Sequence, residues 1–265
     1  MLLKCDASQL EWRVKVYLAQ DAVGMKEILN GEDLHSDNQK FFGLPSRLIA
    51  KIFIYRMIFA DAFSDRGYSG PAYAYAKDPD FSSTSARPKY WEQVIDRFFT
   101  KYPGVYQHSI NLIREATTTG RIVNPSGRFY KYQPVLRRGE LDWPRTDILN
   151  YPVQGLAADF MQLARILLRY RLESYPADKV LLINTVHDEV EIDVANDPEL
   201  VYNISIELEN AFKAIPELFL KTYGVEVNVP MAGEVKLGWS LYESQMVKFK
   251  RETFEKDWNK LYGSN

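Results

Sequence analysis

A single cysteine, Cys5, stands in the 265 residues, which excludes an internal disulfide and any cysteine-rich zinc site. Long apolar runs are missing as well. None approaches the roughly 20 residues of a membrane-spanning helix, and Met1-Leu-Leu-Lys-Cys-Asp6 lacks the apolar core of a secretory signal. No membrane partner is therefore expected, and the expected location is the cytoplasm. Charge of one sign is not in excess either: a net charge of -2 argues against a uniformly basic coat for nucleic acid. No internal repeat is found. What is there suffices for a full core, since 46% of the residues are hydrophobic and the length fits one large domain or two small ones. The charge is also uneven. Arg121, Arg128, Lys131, Arg137 and Arg138 fall in one stretch without an acid, a local stripe sufficient for phosphate contacts or, equally, for a solvated loop.

The most informative stretch is Val180-Leu-Leu-Ile-Asn-Thr-Val-His187-Asp188-Glu189-Val-Glu-Ile-Asp-Val194. Seven mostly apolar residues run into His-Asp-Glu, after which Val190, Ile192 and Val194 alternate with Glu191 and Asp193. That predicts two strands joined by a tight acidic turn. An aspartate at such a tip is exposed yet firmly held, which suits Mg²⁺ and its near-octahedral oxygen shell. An ordinary turn also favours Asp, so the stretch alone decides nothing.

Leu2 to Cys5 predicts a short strand ending at the Asp6 carboxylate, and Leu10, Val14 and Leu18 predict a helix over Ser8 to Ala19, with Ser8-x-x-Glu11 in the form of a capping box. A second helix is expected at Ala22 to Leu29, and the polar segment from Glu32 to Gln39 reads as a turn. Pro45-Ser46 then open a helix through about Ala60 whose Arg47, Lys51, Tyr55 and Phe59 recur every four residues and share a face. Ala62 to Pro88, rich in Gly, Ser, Tyr and Pro, reads as an irregular loop. Helices follow over Tyr90 to Tyr102 and Val105 to Thr118, a hairpin over Arg121 to Tyr130, and a helix led in by Asn150 to Asp159 and running to about Glu173. A helix over Glu199 to Phe212 and a strand over Val225 to Val229 complete the pattern. Alternating strands and helices predict α+β or α/β rather than a bundle.

Asp6 and Asp188, each at a strand end, can bridge two Mg²⁺ ions about 4 Å apart, the arrangement that stabilises attacking and leaving oxygens in phosphoryl transfer. The order of motifs around them resembles the family A (DNA polymerase I type) DNA polymerases. Asp6-Ala-Ser-Gln-Leu-Glu-Trp-Arg13 is similar to the first palm motif, Arg47-x-x-x-Lys51-x-x-x-Tyr55 to the fingers helix, and Val186-His-Asp-Glu189 to the second palm motif. Agreement extends to Asp33-Leu-His35, Gly120-Arg-Ile-Val through Gly127-Arg128, Asn150-x-Pro-Val-Gln154-Gly155-x-Ala-Ala-Asp159 and Gly233-Glu234-x-x-x-Gly238-Trp239. The residues after Asp6 and the Ile-Phe-Ile-Tyr run look most like phage replicative members, for which the cytoplasm would be the host's.

The resemblance implies an α+β fold: a palm of antiparallel sheet and helices over 1-22 and 148-265, with a C-terminal extension, and a mainly helical fingers subdomain inserted over 23-147. It implies a DNA-directed DNA polymerase that joins dNTPs to a primer on primer-template DNA. Asp6, Asp188 and the Ala7 carbonyl would hold two Mg²⁺ ions. Lys51, Arg47 and His35 would contact the triphosphate, with Lys51 also donating a proton to pyrophosphate. Tyr55 would pack on the sugar and base, Gln9 would lie in the nucleotide site, and Glu11 would exclude a 2′-hydroxyl. Arg13, Asn150, Gln154 and His187 would touch the primer terminus and the minor groove, where acceptors are shared by all base pairs, and Arg121 and Arg128 would bind DNA. Glu189 would support the metal site.

Two departures stand out. Phe59 and Ala60 occupy positions where the family has Tyr-Gly, losing a hydroxyl and some backbone freedom. The family's thumb and exonuclease segments would precede Asp6, so a second polypeptide carrying them is expected, with Leu2 to Cys5 left as an exposed sheet edge and an amphipathic helix over Gln245 to Asn265 either docking on that partner or closing the palm. The competing readings are a DNA-binding assembly subunit without catalysis and a single-subunit RNA polymerase, against which Glu11 argues.

Overall fold

The computed structural model describes residues 1-59, 69-78, 81, 87-137 and 139-262. The chain divides into two compact units, Met1–Leu10 with Ala157–Asn265, and Glu11–Leu156. Among the described residues, no helix is long and apolar enough to cross a membrane.

The first unit is built on an antiparallel sheet of β1 (Leu2–Ala7), β6 (Val180–Val186), β7 (Glu189–Val194), β8 (Gly233–Gly238) and β9 (Val247–Lys248), in the order β6-β7-β1-β8-β9. Strict alternation in β1 buries Leu3, Cys5 and Ala7 on one face. The Pro198–Lys213 helix packs on that sheet with Ile204, Leu208, Ala211 and Phe212 buried. Asp197 starts this helix by accepting the amides of Glu199 and Leu200.

Two expectations are corrected here. β1 is the central strand, paired with β7 and β8, so the exposed edge predicted for Leu2 to Cys5 does not exist. The strand expected over Val225 to Val229 is also displaced. Val227 and Val229 are buried, but this segment forms no ladder, and β8 takes the place beside β1. Alternation there reflects burial, not pairing. A helix at Ile215–Tyr223 was not anticipated. At the other end, Phe249 and Phe254 pack on Tyr202 at 5.6 and 5.3 Å between ring centroids, and Trp258 and Leu261 are buried with them. The apolar stripe of the C-terminal helix, Phe254–Tyr262, is thus spent inside its own unit and is not free to dock elsewhere.

The second unit is mainly helical around an aromatic core of Phe42, Phe53, Trp91, Phe98 and Tyr102. Asp21 ties it together. One carboxylate oxygen accepts the amides of Val23 and Gly24, and the other those of Gly104 and Val105, so a single side chain caps the starts of two helices, Ala22–Leu29 and Pro103–Thr119. Nearby Lys15 is fully buried. Its Nζ donates to Ser109 Oγ at 3.0 Å and lies 3.2 Å from His108 Nδ1, and burial pulls the amine down to about 7.

Several boundaries moved for identifiable reasons. The segment expected as a turn from Glu32 is a helix, Leu34–Phe42, because the Asp33 side chain caps it. Gln9 is left-handed (φ 53°) and the next helix runs Leu10–Ala19, which puts the Ser8-to-Glu11 box out of frame. Part of the loop expected over Ala62 to Pro88 is helical, Ser69–Lys77, since Tyr75 and Ala76 are buried in the aromatic core. The helix led in by Asn150 starts earlier and spans Arg145–Leu172 with Pro152 inside it. A hairpin of β2 (Arg121–Val123) and β3 (Phe129–Lys131) stands where one was expected, followed by a second, of β4 (Val135–Arg137) and β5 (Glu140–Asp142). Ala60, Arg138 and the end of the C-terminal extension lie outside the described residues.

Candidate active site

β6 and β7 join through two residues, His187 and Asp188, with Val186 opposite Glu189. His187 takes the left-handed conformation (φ 51°) that so tight a turn requires. The Ala7 amide donates to the Asp188 carbonyl at 2.9 Å, which fixes the turn against the end of β1. Register sets Asp6 opposite Glu189 on one side and Glu234 on the other, so three strands crowd carboxylates at one end of the sheet. Burial first, and then the negative charges of Asp188 and Glu189, push Asp6 up to about 6; Lys236 and Lys4 pull the other way. Lys4 holds Glu189 at 2.8 Å, and Glu234 pairs with Lys248.

Among the described residues no group of three or more His, Cys, Asp or Glu side chains forms a metal cluster. Two carboxylates with backbone carbonyls nevertheless fit Mg²⁺, which takes few protein ligands and keeps several waters. The carboxylate repulsion that adds to burial in raising Asp6 is what a divalent cation relieves.

In the second unit, Ser46 Oγ accepts the Ile49 amide and starts the Arg47–Phe59 helix. Ala50, Phe53, Ile54, Met57 and Ile58 are buried, so Arg47 and Lys51 are exposed and Tyr55 and Phe59 half-buried on the other side. Tyr55 and Phe59 stack at 6.2 Å, and Lys51 Nζ lies 6.0 Å from the Tyr55 ring centroid. Arg47 is held by Asp33 through its Nε and a terminal nitrogen. The same carboxylate caps the helix that begins at Leu34 and so places His35, whose ring is 5.9 Å from that of Tyr55. His35 is 4% exposed, and its Nδ1 finds no hydrogen-bond partner among the described residues. Burial, then Arg47, lower the imidazole to about 4. A cleft of about 550 Å³ is lined by Lys51, Tyr55, Arg56, Phe59 and Asn150, with Leu48, Ile52 and Thr146.

The remaining predicted residues are more scattered. Gln9 is a turn residue, and Glu11 and Arg13 lie on the Leu10–Ala19 helix, where burial lowers the Arg13 guanidinium. Gln154 is exposed one helical turn beyond Asn150, His187 is exposed at its turn, and Arg121 and Arg128 are exposed on the β2-β3 hairpin. Two residues were assigned no role from the sequence, although Asp33 falls within the Asp33-Leu-His35 agreement. Asp33 carries only a helix-cap signal, and its pairing with Arg47 leaves no periodic trace. Arg56 is paired with Asp78 at 2.7 Å and lies over the Phe81 ring at 4.7 Å.

The chain has counterparts among known proteins. The profile of DNA polymerase family A matches residues 1-243, and the chain belongs to this family. DNA polymerase I of Lactococcus lactis subsp. cremoris (strain MG1363) is 26% identical over 256 residues, covering 92% of this chain and 26% of that protein. The thermostable DNA polymerase I of Thermus filiformis is 28% identical over 251 residues, covering 92% and 27%. The chain therefore spans about a quarter of the length of these relatives. A solved POL domain of Pol1 from M. smegmatis, in complex with DNA primer-template and dNTP, shares the fold with a TM-score of 0.67 at 20% identity, over 90% of this chain and 39% of that one.

Proposed function

We propose that the chain catalyses template-directed addition of dNTPs to a DNA primer 3′-hydroxyl. The observation that carries this reading is the pairing of Asp6 and Asp188 at one end of the sheet, tied by the bond from the Ala7 amide to the Asp188 carbonyl. Asp6, Asp188 and the Ala7 carbonyl would hold two Mg²⁺ ions. Bound there, the ions supply a lowered pKa at the primer hydroxyl and charge neutralisation at the triphosphate.

Arg47 exchanges Asp33 for phosphate, Lys51 contacts the same group and gives a proton to pyrophosphate, and the orphan Nδ1 of His35 gains a partner there. Arg47 offers a planar fork and Lys51 a compact charge, so their roles are not interchangeable. Tyr55, Gln9 and Glu11 hold the nucleotide's base and sugar and exclude a 2′-hydroxyl. Arg13, Asn150, Gln154 and His187 contact the primer end, and Arg121 and Arg128 the DNA backbone. In this reading the palm comprises 1-22 and 148-265, and the fingers 23-147.

The finer form of the reading places the protein among phage replicative polymerases of the cytoplasm and adds a second polypeptide with thumb and exonuclease segments. The edge argument for that second polypeptide falls with the central position of β1. Primer extension with dNTPs and Mg²⁺, by this chain alone and with candidate partners, tests both forms. DNA binding without extension under either condition would favour the assembly-subunit alternative.

A further inference from the structure

The β2-β3 hairpin carries two unlike faces. Its register pairs Arg121 with Lys131, Ile122 with Tyr130, and Val123 with Phe129. Cross-strand partners share a face and neighbours alternate, so Ile122 and Tyr130 point one way while Arg121, Lys131, Val123 and Phe129 point the other. The first face is internal. Ile122 is 2% exposed in a cluster with Leu112, Ala116, Tyr132, Ile148 and Leu149.

The hairpin is firmly seated on this side. Asn124 Nδ2 donates to the buried Pro152 carbonyl at 2.8 Å, the Tyr132 amide to the Gly120 carbonyl at 2.8 Å, and Gly155 provides the space that Tyr130 and Arg128 occupy. The second face is open. Phe129 is 58% and Val123 51% exposed, and Lys131 Nζ stands 5.8 Å from the Phe129 ring centroid. Among the described residues neither Arg121 nor Lys131 uses its side chain in a hydrogen bond or an ion pair.

An exposed ring beside two cations that have no anionic partner among the described residues, on a rigid two-stranded platform, has the chemistry that binds an unpaired nucleic-acid strand. The ring stacks on a base, the cations hold the flanking phosphates, and every base has a face to offer. Duplex bases are already stacked on each other and leave no such face free. One Val-Phe pair flanked by charges of one sign is also small for a protein interface, which buries about 800 Å² per partner. We propose that this face is a binding site for single-stranded DNA, with Phe129 as its stacking residue and Arg121 and Lys131 as its phosphate contacts. The choice of DNA rests on the polymerase reading.

The test is the affinity of the full chain for a labelled oligothymidylate of about a dozen nucleotides and for a blunt duplex, by fluorescence anisotropy across a salt series. Phe129→Ala is expected to weaken the single strand about 5- to 100-fold, leaving the duplex unchanged, and Phe129→Trp to restore binding. Arg121→Ala with Lys131→Ala is expected to lower the salt slope for the single strand by about 1.4, two contacts at about 0.7 each. Unchanged single-strand affinity in Phe129→Ala, which would leave the Val123-Phe129 pair to a protein surface, overturns the proposal. So does an equal loss on the duplex, or no single-strand binding by the unaltered chain. Primer extension by the unaltered chain separates the two readings: if it extends no primer while Phe129→Ala still weakens the single strand, the polymerase reading alone falls.

Discussion

Asp33 holds Arg47 through two hydrogen bonds of 3.1 and 3.2 Å while the same carboxylate accepts the backbone amides of His35 and Ser36. Burial would raise this acid, but the hydrogen bonds from Arg47 and Ser36 outweigh it and hold the group at about 2. One side chain thus starts a helix and parks a cation. The two tasks separate on substitution. Asp33→Asn keeps a good helix cap, and the half-exposed ion pair contributes at most about 1 kcal/mol, so stability is expected to change little. Asp33→Ala removes the cap and is expected to cost about 1 kcal/mol. Chemical denaturation of both variants checks this.

Asp188→Asn keeps the turn and the Ala7 bond, both of which use backbone atoms, and removes one charge from the carboxylate pair. Primer extension in Mg²⁺ is expected to fall about a thousandfold or more, from loss of several kcal/mol of charge stabilisation. DNA affinity measured on the same protein is expected to stay within about twofold. Retained extension would remove Asp188 from the metal site.

The amine of Lys15 titrates near 7 in the fold because burial disfavours its charge, against 10.5 as its ordinary value. Between those values the unfolded chain carries a proton that the folded chain does not. Stability contributed by this group therefore climbs as pH rises from about 7 to 10.5, and is lost as pH falls through that window. Lys15→Met is expected to flatten that climb, by an amount on the order of a few kcal/mol. Melting curves of the two proteins across pH 7 to 10 decide the matter.

Gly155 lies where a β-carbon would stand 1.6 Å from Tyr130 Oη and 2.9 Å from Cζ. Alanine would favour a helix interior by about 1 kcal/mol, but overpacking against a ring costs about 1 to 3 kcal/mol. Gly155→Ala is expected to be destabilising, and combining it with Tyr130→Ala less so than the two changes added together. A double-mutant cycle of unfolding free energies reads that coupling.

Much of this arrangement is legible in the amino acids, and the exceptions share a cause. The hairpin tip at Asp188 and the shared face of Arg47, Lys51 and Tyr55 are local patterns, visible because periods of two and 3.6 repeat within a few residues. Long-range pairing is not. Nothing near Leu2 to Ala7 says that two strands flank it, and nothing near Val225 to Val229 says that none does. The role of Asp33 is hidden for a related reason: its motif and cap are local, but its grip on Arg47 spans a loop with no repeating signal. The cation face of β2-β3 lay between, since the basic stripe is plain in the sequence, whereas the register that sorts Phe129 outward and Tyr130 inward appears only in the fold.

The central position of β1 also has a bearing on biosynthesis. Leu2–Ala7 leaves the ribosome long before Glu189–Val194 and Gly233–Gly238, the strands that flank it among the described residues, while Glu11–Leu156 is contiguous and can condense as it emerges. The mainly helical body is then the earlier to form, and the carboxylate-bearing sheet assembles around a strand synthesised well before its two neighbours. A nascent chain stalled before Gly233 would hold the helices of Glu11–Leu156 but lack one neighbour of β1.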